Sequence, residues 1–70
     1  MNRYRLILVV RDMFHPEWGE KPVEHRTTQA SPVDARHDAL ERAYDNGLFV
    51  SRFQSIEVKA LPHQGDAYDS

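Results

Sequence analysis

Apolar residues alternate with polar ones from the start of the chain. In Tyr4–Asp12, YRLILVVRD, the side chains of Tyr4, Leu6, Leu8 and Val10 point to one side of an extended strand, and Arg5, Ile7, Val9 and Arg11 point to the other. Apolar residues on both sides predict a central strand, because an edge strand with one solvated face would alternate more cleanly. Met13–Lys21, MFHPEWGEK, holds Pro16 and Gly19 and reads as a hairpin loop. Pro22–Ala30, PVEHRTTQA, keeps Val23, Thr27 and Thr28 but is far more polar, which predicts an edge strand with its proline at the entrance.

The pattern then changes period. Ser31-Pro32-Val33-Asp34 combines an N-cap serine, proline at the first helical position and an acidic residue three places after the cap, so a helix begins here. At 3.6 residues per turn Val33, His37, Leu40, Ala43 and Tyr44 gather on one face, with Ala39 at its margin. Asn46-Gly47 supplies the left-handed stop, and Leu48 or Phe49 can fold back on the last turn. Arg52–Leu61 alternates again around Ile56, Val58 and Ala60 and predicts a third strand ended by Pro62. Residues 62–70, PHQGDAYDS, are polar with two breakers and are expected to form a disordered tail after a single domain over 1–61.

Strand, strand, helix, strand has one economical arrangement: a hairpin, then a helix that crosses the sheet and delivers the last strand beside the first. The expectation is an α+β fold, ββαβ, with a three-stranded antiparallel sheet in the order 2-1-3 and the helix on one face. Leu6, Leu8, Val10, Ile56 and Val58 should lie beneath Val33, Leu40 and Tyr44. Ile7 and Val9 then occupy the face that the helix does not cover.

Composition narrows the function. The chain has 70 residues, nine Lys and Arg against eleven Asp and Glu, and no cysteine. The absence of cysteine excludes disulfides, thiolate metal sites and redox pairs, and fits a cytoplasmic setting. The longest apolar run, Leu6–Val10, is far short of the roughly 20 residues a membrane helix requires, and no signal-peptide pattern is present at the N-terminus. His15, His25, His37 and His63 fall on a loop, a strand, a helix and the tail, without a pair at ligand spacing, so no metal or other cofactor is expected. No nucleophile stands beside a base: Ser31 is used as a cap, and Ser51 and Ser55 lie in or beside a strand. Three glycines leave no phosphate-cradling loop. The expectation is therefore a protein that is not an enzyme.

Two kinds of partner remain. An open sheet face can bind nucleic acid through aromatic stacking and basic side chains, and Arg3, Arg5, Arg11 and Arg52 are the candidate phosphate contacts. The aromatics are poorly placed for this, and charges of both signs are interspersed, which makes nucleic acid the weaker reading. Protein binding accounts for more: Ile7 and Val9 on the open face, and an aromatic loop carrying Phe14 and Trp18, residue types common among interface hot spots. Two alternatives use the same residues. Phe14 and Trp18 can cap Ile7 and Val9 as a local core, or two open faces or two edges can pair in a homodimer.

The hydrophobic first strand, the polar strand ending in Thr27-Thr28-Gln29-Ala30-Ser31, the helix with Asp38-Ala39-Leu40-Glu41-Arg42-Ala43 and the strand Ser55-Ile56-Glu57-Val58 together resemble small phage-encoded inhibitors of bacterial machinery. These include a podovirus inhibitor of host RNA polymerase and some type I anti-CRISPR proteins. The likeness spans about residues 4 to 60 and rests on element order, so it transfers no residue role. It implies a stoichiometric blocker of a bacterial protein complex, acting in the host cytoplasm without catalysis or cofactor. The chain lacks the acidity of inhibitors that mimic DNA.

Overall fold

The computed structural model describes residues 1–61, so the expected tail and His63 lie outside the described residues. Strands β1 (Asn2–Asp12), β2 (Glu20–Gln29) and β3 (Leu48–Ala60) form one antiparallel sheet in the order β2-β1-β3, and helix α1 (Pro32–Asp45) joins β2 to β3. Architecture and strand order are those the alternation predicts. Among the described residues no helix is long and apolar enough to cross a membrane.

The helix starts where the cap chemistry places it: Ser31 Oγ accepts the Asp34 N–H at 3.2 Å, with Pro32 in the first turn. It ends where the Gly47 N–H donates to the Tyr44 carbonyl at 3.0 Å and Gly47 takes φ of +73°. Tyr4, Leu6, Leu8 and Val10 of β1 are fully buried beneath it.

The helix does not present the face its larger apolar residues suggest. Ala35, Ala39 and Ala43, one turn apart, are the residues it buries, whereas Val33 is 58% exposed, Tyr44 and His37 are exposed and Leu40 is half-buried. The cause is volume: β1 fills the interior with tyrosine and leucine, so the helix backbone approaches closely only where its side chains are methyl groups. A hydrogen bond fixes the rotation, His25 Nε2 of β2 to Asp38 Oδ2 at 2.7 Å. It turns Asp38 toward β2 and carries Val33, Leu40 and Tyr44 to the opposite flank, above β3.

The third strand also departs from expectation. It begins at Leu48, four residues before Arg52, and pairs with β1 back to Asp12. Register shifts between Ile7 and Leu8 and between Val9 and Val10 leave Gln54 and Ser51 as extra residues on β3. Val50, Phe53 and Ile56 therefore all meet the helix-facing side of β1 despite their odd spacing, and strict alternation could not detect the early half of the strand. Val58 is not core. It lies opposite Tyr4 but is 60% exposed, at the margin the narrow helix does not reach.

Enlarging the alanine stripe should be costly. Ala39→Leu should lower unfolding stability by about 1–3 kcal/mol through overpacking, while Val33→Ser should stay within about 0.5 kcal/mol. Denaturant melts of the two variants check this; equal losses would contradict the rotation of the helix. Asp38 supplies a pH test. The His25 hydrogen bond, with a smaller contribution from Thr27, lowers its pKa in the fold. A carboxylate shifted down adds stability above the ordinary aspartate value and loses it as pH falls through the folded value. Asp38→Ala should therefore cost about 0.5–1 kcal/mol at neutral pH. The difference from wild type should shrink below about pH 4, as pH-dependent melts would record.

Candidate partner-binding surface

The β1–β2 connection is built, not slack. The Asp12 carboxylate accepts the backbone N–H of Phe14 at 2.8 Å and of His15 at 2.9 Å, so one side chain folds the chain back at the strand end. A 3₁₀ turn follows over Pro16–Trp18, with the Trp18 N–H donating to the His15 carbonyl at 3.0 Å. The Trp18 indole stacks on the His15 ring, centroids 4.0 Å apart and planes within 10°. His15 Nδ1 lies 3.2 Å from Glu17 Oε1. The Met13 N–H reaches the Gly47 carbonyl at 3.0 Å, tying the loop to the C-terminus of α1.

This scaffold displays its aromatics. Phe14 is 79% exposed and Trp18 67%, and the Phe14 ring rests against Gly47, where an added Cβ would stand 3.1 Å from it. Met13, Tyr44 and Phe49 are exposed as well, and all belong to the same end of the molecule. Phe49 pairs with Arg11 and Leu48 with Asp12, so the first residues of β3 and the last of α1 meet the β1–β2 loop there. The result is an apolar end drawn from three elements. Phe14 and Trp18 are legible in the sequence as partner residues; Phe49 and Tyr44 are not, because the pattern places them at the helix stop and in the core. The signal for the loop was Asp12 followed by two residues whose N–H groups it can cap.

Ile7 and Val9 do face away from the helix, but they are not an open apolar surface. Ile7 is half-buried and Val9 only 5% exposed. Charged residues share their face. Arg5 on β1 donates to Glu24 of β2 at 3.0 Å and to Glu57 of β3 at 3.1 Å, and Arg26 also pairs with Glu24. Arg52 of β3 lies 3.9 Å from Glu20 of β2, so its side chain crosses the sheet beside Val9. The Arg5 guanidinium pKa is raised by its hydrogen bonds to Glu24 and Glu57. The Glu24 carboxyl is lowered by Arg5 and Arg26, and the Glu20 carboxyl by the Ser51 hydroxyl and then Arg52.

The candidate phosphate contacts divide accordingly. Arg5 and Arg52 are engaged with carboxylates, while Arg3 and Arg11 are exposed and form no ion pair among the described residues. His15 and His25 sit on different elements, and no cluster of three or more potential metal ligands occurs among the described residues. The concavities are shallow. One of about 240 Å³ lies at the Arg3, Tyr4 and Val58 end, and another of about 380 Å³ runs between α1 and β2 along Ala39, Ala43 and His25. No protein-family model, curated protein or solved structure matches the chain.

Proposed function

We propose that the protein is a non-enzymatic binding module that docks on a protein partner through its aromatic end, with Phe14 and Trp18 as anchors. The observation that carries this reading is the exposure of both rings on a loop whose backbone is already hydrogen-bonded. A rigid aromatic loses little conformational freedom on binding, so its burial converts efficiently into affinity. Met13, Tyr44 and Phe49 are further exposed apolar residues toward the same end, with Phe49 on the sheet face opposite the helix. Within this reading the partner is a bacterial protein complex and the effect is inhibition by occupancy, as the likeness to small phage inhibitors suggests. Occupancy requires neither a catalytic group nor a cofactor.

A second reading rests on the charge of the open face. Arg3, Arg5, Arg11, Arg26, Arg52 and Lys59 share that face with Glu20, Glu24 and Glu57, although the chain as a whole is formally -2. Such a face favours an accessory role on nucleic acid, with Arg3 and Arg11 as the freest contacts.

Affinity capture from bacterial lysate, with and without nuclease, separates the two. A stoichiometric, nuclease-resistant complex that is lost with the Phe14→Ser, Trp18→Ser double variant supports the first reading. Retention abolished by nuclease and by Arg3→Ala, Arg11→Ala supports the second. Once the partner is identified, Trp18→Ala should weaken binding by more than about 1 kcal/mol. Titration calorimetry checks this; unchanged affinity in a folded variant would remove Trp18 from the interface.

A further inference from the structure

Among the described residues the sheet has two free edges, and they are protected unequally. On β2, Pro22 removes a backbone donor, and Lys21 and Arg26 place charges along the strand, which discourages pairing with another chain. The first half of β3 carries the bulges at Ser51 and Gln54, which interrupt a flat ladder. Ser55–Ala60 is different. It pairs with β1 without irregularity, from Ile7↔Ser55 to Asn2↔Ala60. Its helix-side residues are Ile56, Val58 and Ala60, and Ser55, Glu57 and Lys59 lie on the other face.

The apolar side of this segment is only partly covered. Val58 is 60% exposed, and so, at 58%, is Val33 on the flank of α1 that overhangs β3. Both belong to one end of the molecule. The helix starts just after Gln29, which is paired with Asn2, and Asn2 is paired on its other side with Ala60.

We propose that this edge pairs with the same edge of a second copy of the chain, antiparallel, with the two-fold axis at Val58. That register sets Val58 against Val58 and Ile56 against Ala60 on the helix side. On the other face it sets Glu57 against Lys59, twice by symmetry. The neighbouring registers fail: centring on Glu57 or Lys59 opposes like charges, and centring on Ile56 runs Val58 against the bulged Gln54. The product is a six-stranded sheet with both helices on one face and Val33 near the axis. The inference is independent of the aromatic end and of any host partner.

The chain has no cysteine, so one introduced residue reports the register directly. In the full-length protein, Val58→Cys should give a disulfide-linked dimer on mild oxidation, because directly opposed strand residues lie within disulfide range. Ser51→Cys, far from the axis, should not. In sedimentation equilibrium Glu57→Lys should raise the dimer dissociation constant about tenfold, since two attractive pairs become repulsive. Glu57→Lys combined with Lys59→Glu should restore it. Circular dichroism confirms that each variant is folded. The proposal is overturned if the wild type remains monomeric at the highest concentration that stays in solution. It is equally overturned if Ser51→Cys crosslinks in place of Val58→Cys, or if the charge reversal fails to restore the dimer.

Discussion

One short helix has to seal a three-stranded sheet, and the alanine stripe Ala35, Ala39 and Ala43 is what brings it close enough to do so. Small side chains trade breadth for proximity. The helix settles over β1, completing the burial of Tyr4, Leu6, Leu8 and Val10, but leaves the apolar residues of β3 only partly covered. The bond between His25 and Asp38 holds it toward β2 and lifts the Val33, Leu40 and Tyr44 flank over β3. The exposed valines follow from that rotation. A wider apolar face on the helix would have covered Val58 and held the backbone away from β1.

The opposite face solves the same problem by other means. With no helix available, Arg5 and Arg52 span the sheet to carboxylates on its outer strands, on the same face as Ile7 and Val9. Each exposed ion pair contributes little and is screened by salt. The same arrangement limits what the face offers a polyanion, because Arg5 and Arg52 already have carboxylate partners and Arg3 and Arg11 remain the freest.

How much of this was legible in the sequence depends on the range of the interaction involved. Local chemistry could be read: the Ser31 cap, Pro32, the Gly47 stop and the alternation of β1 fixed the elements and, through their order, the β2-β1-β3 sheet. Packing could not. Val33 and Leu40 are more apolar than alanine and Tyr44 is far bulkier, and only the bulk of β1 decides between the two faces. The bulges at Ser51 and Gln54 concealed the start of β3 because each reverses the phase that alternation relies on. At the candidate site Phe14 and Trp18 were visible as residues out of place in a loop. That Phe49 lies toward the same end required the register.

The two apolar surfaces lie at opposite ends of one strand. β3 begins at Leu48 beside the aromatic loop, and its regular half runs away from it to Ala60. A copy paired at Val58 therefore cannot occlude Phe14 or Trp18, and two-fold symmetry points the two aromatic ends away from each other. Self-association and partner binding thus make no competing demand on the chain. A dimer would present two anchors on a shared six-stranded sheet, so a partner with repeated subunits would meet the second anchor at an effective concentration fixed by the rigid sheet and not by a flexible linker.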